Sequence, residues 1–80
     1  MRAQFSLFGS HDKRGTRIPE NWRPSPPDQQ FAIDKLGSVD RARHVYDEFV
    51  DYWRGVPGAK GRKVDWAATF RNRVRQVAGK

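Results

Sequence analysis

Between Ala42 and Trp53 the apolar residues fall at Ala42, Val45, Tyr46, Phe49, Val50 and Trp53, so successive gaps are three, one, three, one and three. That spacing places them all on one face of an α-helix, whereas a strand would scatter them over both faces. A helix is therefore expected from about Ser38 to Asp40 through Arg54, stopped by Gly55 and Pro57. The chain on either side has to cover its apolar stripe. Ser25, Pro26 and Asp28 form the start signal of an earlier helix, with Pro at the favoured first position and Asp close to a capping-box acid. Phe31, Ala32 and Leu36 give that helix a modest apolar face, and Gly37 ends it. After a loop rich in glycine and basic residues, Asp65 caps a third helix that runs to Val77 or Ala78, with Trp66, Phe70, Val74 and Val77 in line. Helices this short are marginal alone in water, so a small all-α three-helix bundle follows.

Residues 1–17 lack a sustained period and contain Gly9 and Gly15, which is the pattern of a flexible, partly disordered N-terminal arm. Within it Phe5, Leu7 and Phe8 form a short alternating run, either a docking patch or an added sheet edge. The segment from Ile18 to Pro27 holds four prolines and Trp22, so it is read as extended, with Ile18 and Trp22 packing onto the helices. The expected organisation is an arm over 1–17 and a helical domain over 18–78. With 80 residues and no cysteine, one domain must rest on packing alone, helped by ten aromatic rings. No apolar run is long enough to span a bilayer, and the first residues lack the apolar core of a secretory signal, so a cytoplasmic protein without membrane contact is the expectation.

The net charge of +7 is unevenly placed. Residues 1–24 carry +3, residues 25–54 carry −2 and residues 55–80 carry +6. A cationic third joined to a mildly acidic one points to a polyanionic partner, because mixed charge would serve solubility equally well. The stretch PGAKGRK reads either as a phosphate cradle carrying Lys60, Arg62 and Lys63 or as a solvated connector. It lacks the GK[ST] ending of a nucleotide-hydrolysing P-loop. On the third helix Arg71 and Arg75, four residues apart, share an edge that can extend the basic loop, while Arg73 points elsewhere. Phe49, Trp66 and Phe70 lie on apolar stripes and read as core. Tyr52 lies off its stripe and Trp53 sits at the stripe's edge facing the loop, which makes these two the stacking candidates. Cations interleaved with free rings suit a single-stranded nucleic acid, whose phosphates pair with Lys and Arg and whose bases stack. Charge and stacking leave DNA against RNA open.

No catalytic constellation is present. His11 lies in the arm and His44 stands beside Arg43, with no cysteine to join them in a metal site. Asp47, Glu48 and Asp51 form an acidic patch on the second helix that more often solvates a face than binds a metal. Neither an enzyme nor a cofactor is expected.

The order IPENWRPS, then FA and LG, then FVDYWRGVPGAKGRKVDWAATFRN resembles the C-terminal single-stranded-DNA-binding domain of DnaT-like primosomal proteins and the tails of phage and prophage replication proteins. The resemblance spans about Thr16 to Val77 and is most specific from Tyr52 to Asn72. It implies a three-helix module acting in replication restart or helicase loading, with a replicative helicase or other replisome proteins as partners. Homo-oligomers along a DNA strand also fit, since cooperative binding is common in such proteins. Carried over by position, the implied residues are Tyr52, Trp53, Lys60, Gly61, Arg62, Lys63, Trp66, Phe70, Arg71 and Asn72, of which Trp66 and Phe70 are expected to be structural. Similar sequences read FRNW where this chain has Arg73. The expected interface is therefore Tyr52, Trp53, Lys60, Arg62, Lys63, Arg71 and Arg75. Two alternatives stand beside it: a helix-turn-helix regulator reading duplex DNA with the third helix, and a replisome interaction adaptor using the acidic helix and the Phe5–Phe8 run.

Overall fold

The computed structural model describes residues 15–80; the Phe5–Phe8 run, His11 and the first fourteen residues of the expected arm lie outside them. Three helices form, as the periodicity requires: α1 (Pro26–Leu36), α2 (Val39–Gly55) and α3 (Trp66–Ala78). Each begins on a side-chain cap. Ser25 Oγ accepts the Asp28 amide, Ser38 Oγ accepts that of Arg41 at 3.1 Å, and an Asp65 carboxylate oxygen accepts that of Ala68 at 3.0 Å. α1 ends where Gly37 turns left-handed at φ 93°, and the Gly37 amide closes on the Ile33 carbonyl at 2.8 Å. Only Gly37 and Ser38 separate the two helices, and Ser38 caps α2.

The core takes Ala32 and Leu36 from α1, Val45, Phe49 and Val50 from α2, and Trp66, Phe70 and Val74 from α3. Phe70 and Val74 are the largest side chains sealed completely from solvent. The extended segment before α1 is a structural part of this body, as Ile18 is buried and Trp22 wedges between the helices. The Trp22 ring lies 5.6 Å from Phe49 and 5.7 Å from Phe70, and the Tyr46 hydroxyl donates to the Trp22 carbonyl at 2.8 Å. Prolines on both sides keep Trp22 in this path and out of helix.

The sequence predicts no strand at Thr16–Arg17 or Arg62–Lys63, and here the structure adds an element. Two residues, β1 (Thr16–Arg17), pair antiparallel with β2 (Arg62–Lys63), in register Thr16 to Lys63 and Arg17 to Arg62. The last residues of the expected arm are thus held against the α2–α3 loop. So short a ladder carries no alternation in sequence, and its partners are remote along the chain.

Replacing Trp22 with Ala removes a wedge seated on α2 and α3. Urea unfolding is expected to show a loss of about 3 kcal/mol, and Tyr46→Phe a loss of about 1 kcal/mol from the deleted hydrogen bond.

Candidate nucleic-acid interface

The loop from Val56 to Asp65 is built as a fixed turn, since a 3-10 turn over Gly58–Gly61 leads directly into β2. Gly58 holds φ at +69°, a conformation glycine adopts without strain. Gly61 is buried with its α-carbon against the Val56 carbonyl, where a β-carbon has no room. These glycines shape the turn. Arg17 locks it from outside, donating from Nη1 to the Val56 carbonyl at 2.9 Å and from Nη2 to the Arg54 carbonyl at 2.8 Å. That fork satisfies carbonyls at the C-terminus of α2 and places a positive charge at the negative end of its dipole. The Trp66 indole N–H donates to the Thr16 carbonyl at 3.1 Å, tying the start of α3 to the same clasp.

Between α2 and α3, which touch less than α1 touches either, an open groove of about 810 Å3 remains. Phe49 contributes to its apolar part, Glu48, Asp51, Tyr52 and Trp53 line it from α2, Lys63 from β2, and Thr69, Asn72, Arg73 and Gln76 from α3. Tyr52 is 64% exposed and stands perpendicular to Trp53, with ring centroids 5.0 Å apart and an interplanar angle of 89°. Trp53 is half-buried against Trp66 at 5.4 Å and Phe49 at 6.4 Å, and the Lys63 ammonium sits 4.8 Å from its ring centre. Trp53 therefore forms a wall whose face already holds a cation, while Tyr52 offers an open face.

The seven residues expected at the interface divide. Tyr52, Trp53 and Lys63 meet in the groove, and Lys60 is exposed on the turn beside it in sequence. Arg62 follows strand alternation away from Lys63, and its guanidinium reaches toward the Gly15 carbonyl at 3.5 Å. The Arg71–Arg75 edge exists but faces α1, which corrects the expectation that it extends the basic loop. Arg71 Nη1 donates to both carboxylate oxygens of Asp28 at 3.1 Å, and the Arg75 guanidinium lies 5.2 Å from the centre of the Phe31 ring. Helical spacing shows that these two arginines share an edge, and only packing reveals that Arg71 reaches Asp28 and Arg75 the Phe31 ring on α1. Arg73, set aside in the sequence reading, is the α3 arginine that lines the groove. The signal for it was its place in the series Thr69, Asn72, Arg73 and Gln76, an i, i+3, i+4, i+7 stripe beside the apolar line.

No family model, curated protein or solved structure matches this chain.

The Asp28–Arg71 pair is partly buried, so a double-mutant cycle on Asp28→Ala and Arg71→Ala is expected to return a coupling of about 1 kcal/mol in urea unfolding. Zero coupling would mean that the pair contributes nothing to joining α1 and α3.

Proposed function

We propose that this chain is a non-enzymatic single-stranded-DNA-binding module of a primosome or phage replication protein. It works in the cytoplasm, in helicase loading or replication restart. The observation that carries the reading is the open face of Tyr52 at the mouth of a groove that also holds Lys63 and Arg73. An exposed ring with cations on two neighbouring elements matches the needs of a strand whose bases stack while its phosphates are neutralised. Stacking on Tyr52 requires no side chain to leave, whereas stacking on Trp53 competes with Lys63. Phosphates are contacted by Lys60, Lys63 and Arg73. Arg62 lies on the far side of the ribbon, Arg71 is held by Asp28 of α1, and Arg75 stands between Phe31 and Asn72. The resemblance of the Tyr52–Asn72 block to DnaT-like domains supports the place in replication, with a helicase or other replisome protein as partner and self-association along the strand.

A loop tied down by the ladder to β1 and by the Arg17 fork favours this function physically. Cations already held in place lose less side-chain and backbone freedom when the strand binds. The ten-residue connection between α2 and α3 is long for a helix-turn-helix, whose turn is about 3 to 4 residues.

Fluorescence anisotropy of a labelled dT oligomer, compared with duplex of equal length at several salt concentrations, tests the reading. Tighter binding to the single strand is expected, with a log–log salt slope of about −2, from three phosphate contacts at about 0.7 each. Lys63→Ala and Arg73→Ala should each flatten that slope by about 0.7. Tyr52→Ala should weaken binding by about 1 to 3 kcal/mol at every salt concentration. A preference for duplex would replace this reading with the helix-turn-helix regulator, and no binding to either with the interaction adaptor.

A further inference from the structure

The groove carries more than a phosphate site requires, because its two walls differ in hydrogen-bonding character. On the α2 wall Asp51 immediately precedes Tyr52, is exposed and has no charged or hydrogen-bonding partner among the described residues. Glu48, one turn earlier, has one carboxylate oxygen 3.3 Å from the His44 imidazole Nε2, whereas both Asp51 oxygens lack such a neighbour among the described residues. On the α3 wall the Asn72 amide oxygen accepts from Arg75 Nη1 at 2.9 Å, which leaves its NH2 group to donate. Acceptors thus line one side and a donor stands on the other, with Tyr52 and Phe49 supplying apolar surface.

A carboxylate at the edge of a polyanion site repels the backbone and is useful only where a donor meets it. In a single strand those donors are on the base edges. Cytosine presents its N4 amino group beside the N3 and O2 acceptors, and adenine presents N6 beside N1. Thymine places acceptors on both sides of its one N3–H, so a carboxylate facing it meets at least one oxygen. We propose that the groove discriminates among bases, with Asp51 accepting from an exocyclic amino group while Asn72 donates to the neighbouring ring acceptor. Strands bearing cytosine, adenine or guanine, each of which has an exocyclic amino group, are then preferred to thymine-bearing ones. This rests on the single-strand reading above and makes Asp51 a specificity-determining residue of the same site.

The test measures dissociation constants for dC and dT oligomers of equal length at one salt concentration and neutral pH, with the full chain and with Asp51→Ala. The full chain is expected to bind dC about tenfold more tightly than dT, which corresponds to one good base-edge pairing. In Asp51→Ala the ratio should fall to about twofold or less, through weaker dC binding and unchanged or tighter dT binding. Circular dichroism checks that the variant remains folded, as expected for an exposed position on α2. Equal binding of dC and dT by the full chain overturns the discrimination and leaves single-strand binding standing. Tightening of both strands by the same factor in Asp51→Ala also overturns it, since Asp51 is then only a repulsive charge. Binding to neither oligomer removes the single-strand reading itself and this inference with it.

Discussion

Phe49 holds four other rings around it, with centroids at 5.3 Å for Phe70, 5.6 Å for Trp22, 6.1 Å for Trp66 and 6.4 Å for Trp53. Two of these rings belong to α3, one to the extended segment and one to the end of α2. A chain of 80 residues without cysteine has no covalent means of joining those parts, so edge-to-face and tilted ring packing does it. The same side chain reaches the groove between α2 and α3. Any change that loosens Phe49 therefore alters the wall formed by Trp53 as well as the core, and the stability of the domain and the shape of its candidate interface are mechanically one problem.

The second constraint is the clasp formed by β1 and β2. Two ladder residues are too few to persist alone in water. They hold because Arg17 bonds the carbonyls at the end of α2, Trp66 donates to Thr16, and Gly15 lets its backbone approach Lys63 and Val64 more closely than a β-carbon permits. The consequence is felt at Lys63, because strand alternation aims its side chain toward Trp53. A loop whose composition suggests flexibility is in this way converted into a positioned cation.

Local signals made the helices legible, and long-range partners account for what was missed. Ser25, Ser38, Asp65 and Gly37 act within a few residues of themselves, so their roles follow from sequence directly. The α2 stripe likewise identified Phe49 as core and left Tyr52 outside it. The pairing of Thr16 with Lys63 joins the start of the described chain to the loop before α3 and leaves no periodic trace. Arg71 is similar: its sequence neighbours do not reveal that Asp28 on another helix holds it, and a basic residue in a basic segment is read by default as a free cation. Arg73 is the converse case, since a single arginine between Arg71 and Arg75 has no other arginine at helical spacing, and only packing shows that its stripe faces the groove.

The net charge of +7 overstates how much positive charge a ligand can meet at close range. Arg17 is bonded to carbonyls at the end of α2, Arg54 to the Glu20 carbonyl, and Arg71 to Asp28, while Arg75 divides its contacts between Phe31 and Asn72. Each of these cations already has a partner within the fold that occupies part of its guanidinium fork. Their field is still felt at a distance, because a hydrogen bond to a neutral carbonyl does not cancel the charge. On the proposed reading two roles separate: the whole cationic end would attract an anionic strand, and the small set at the groove would decide how it sits. The acidic side of α2 adds a direction to that arrangement, since Glu48 and Asp51 disfavour phosphate along their wall and favour it on the side of Lys63.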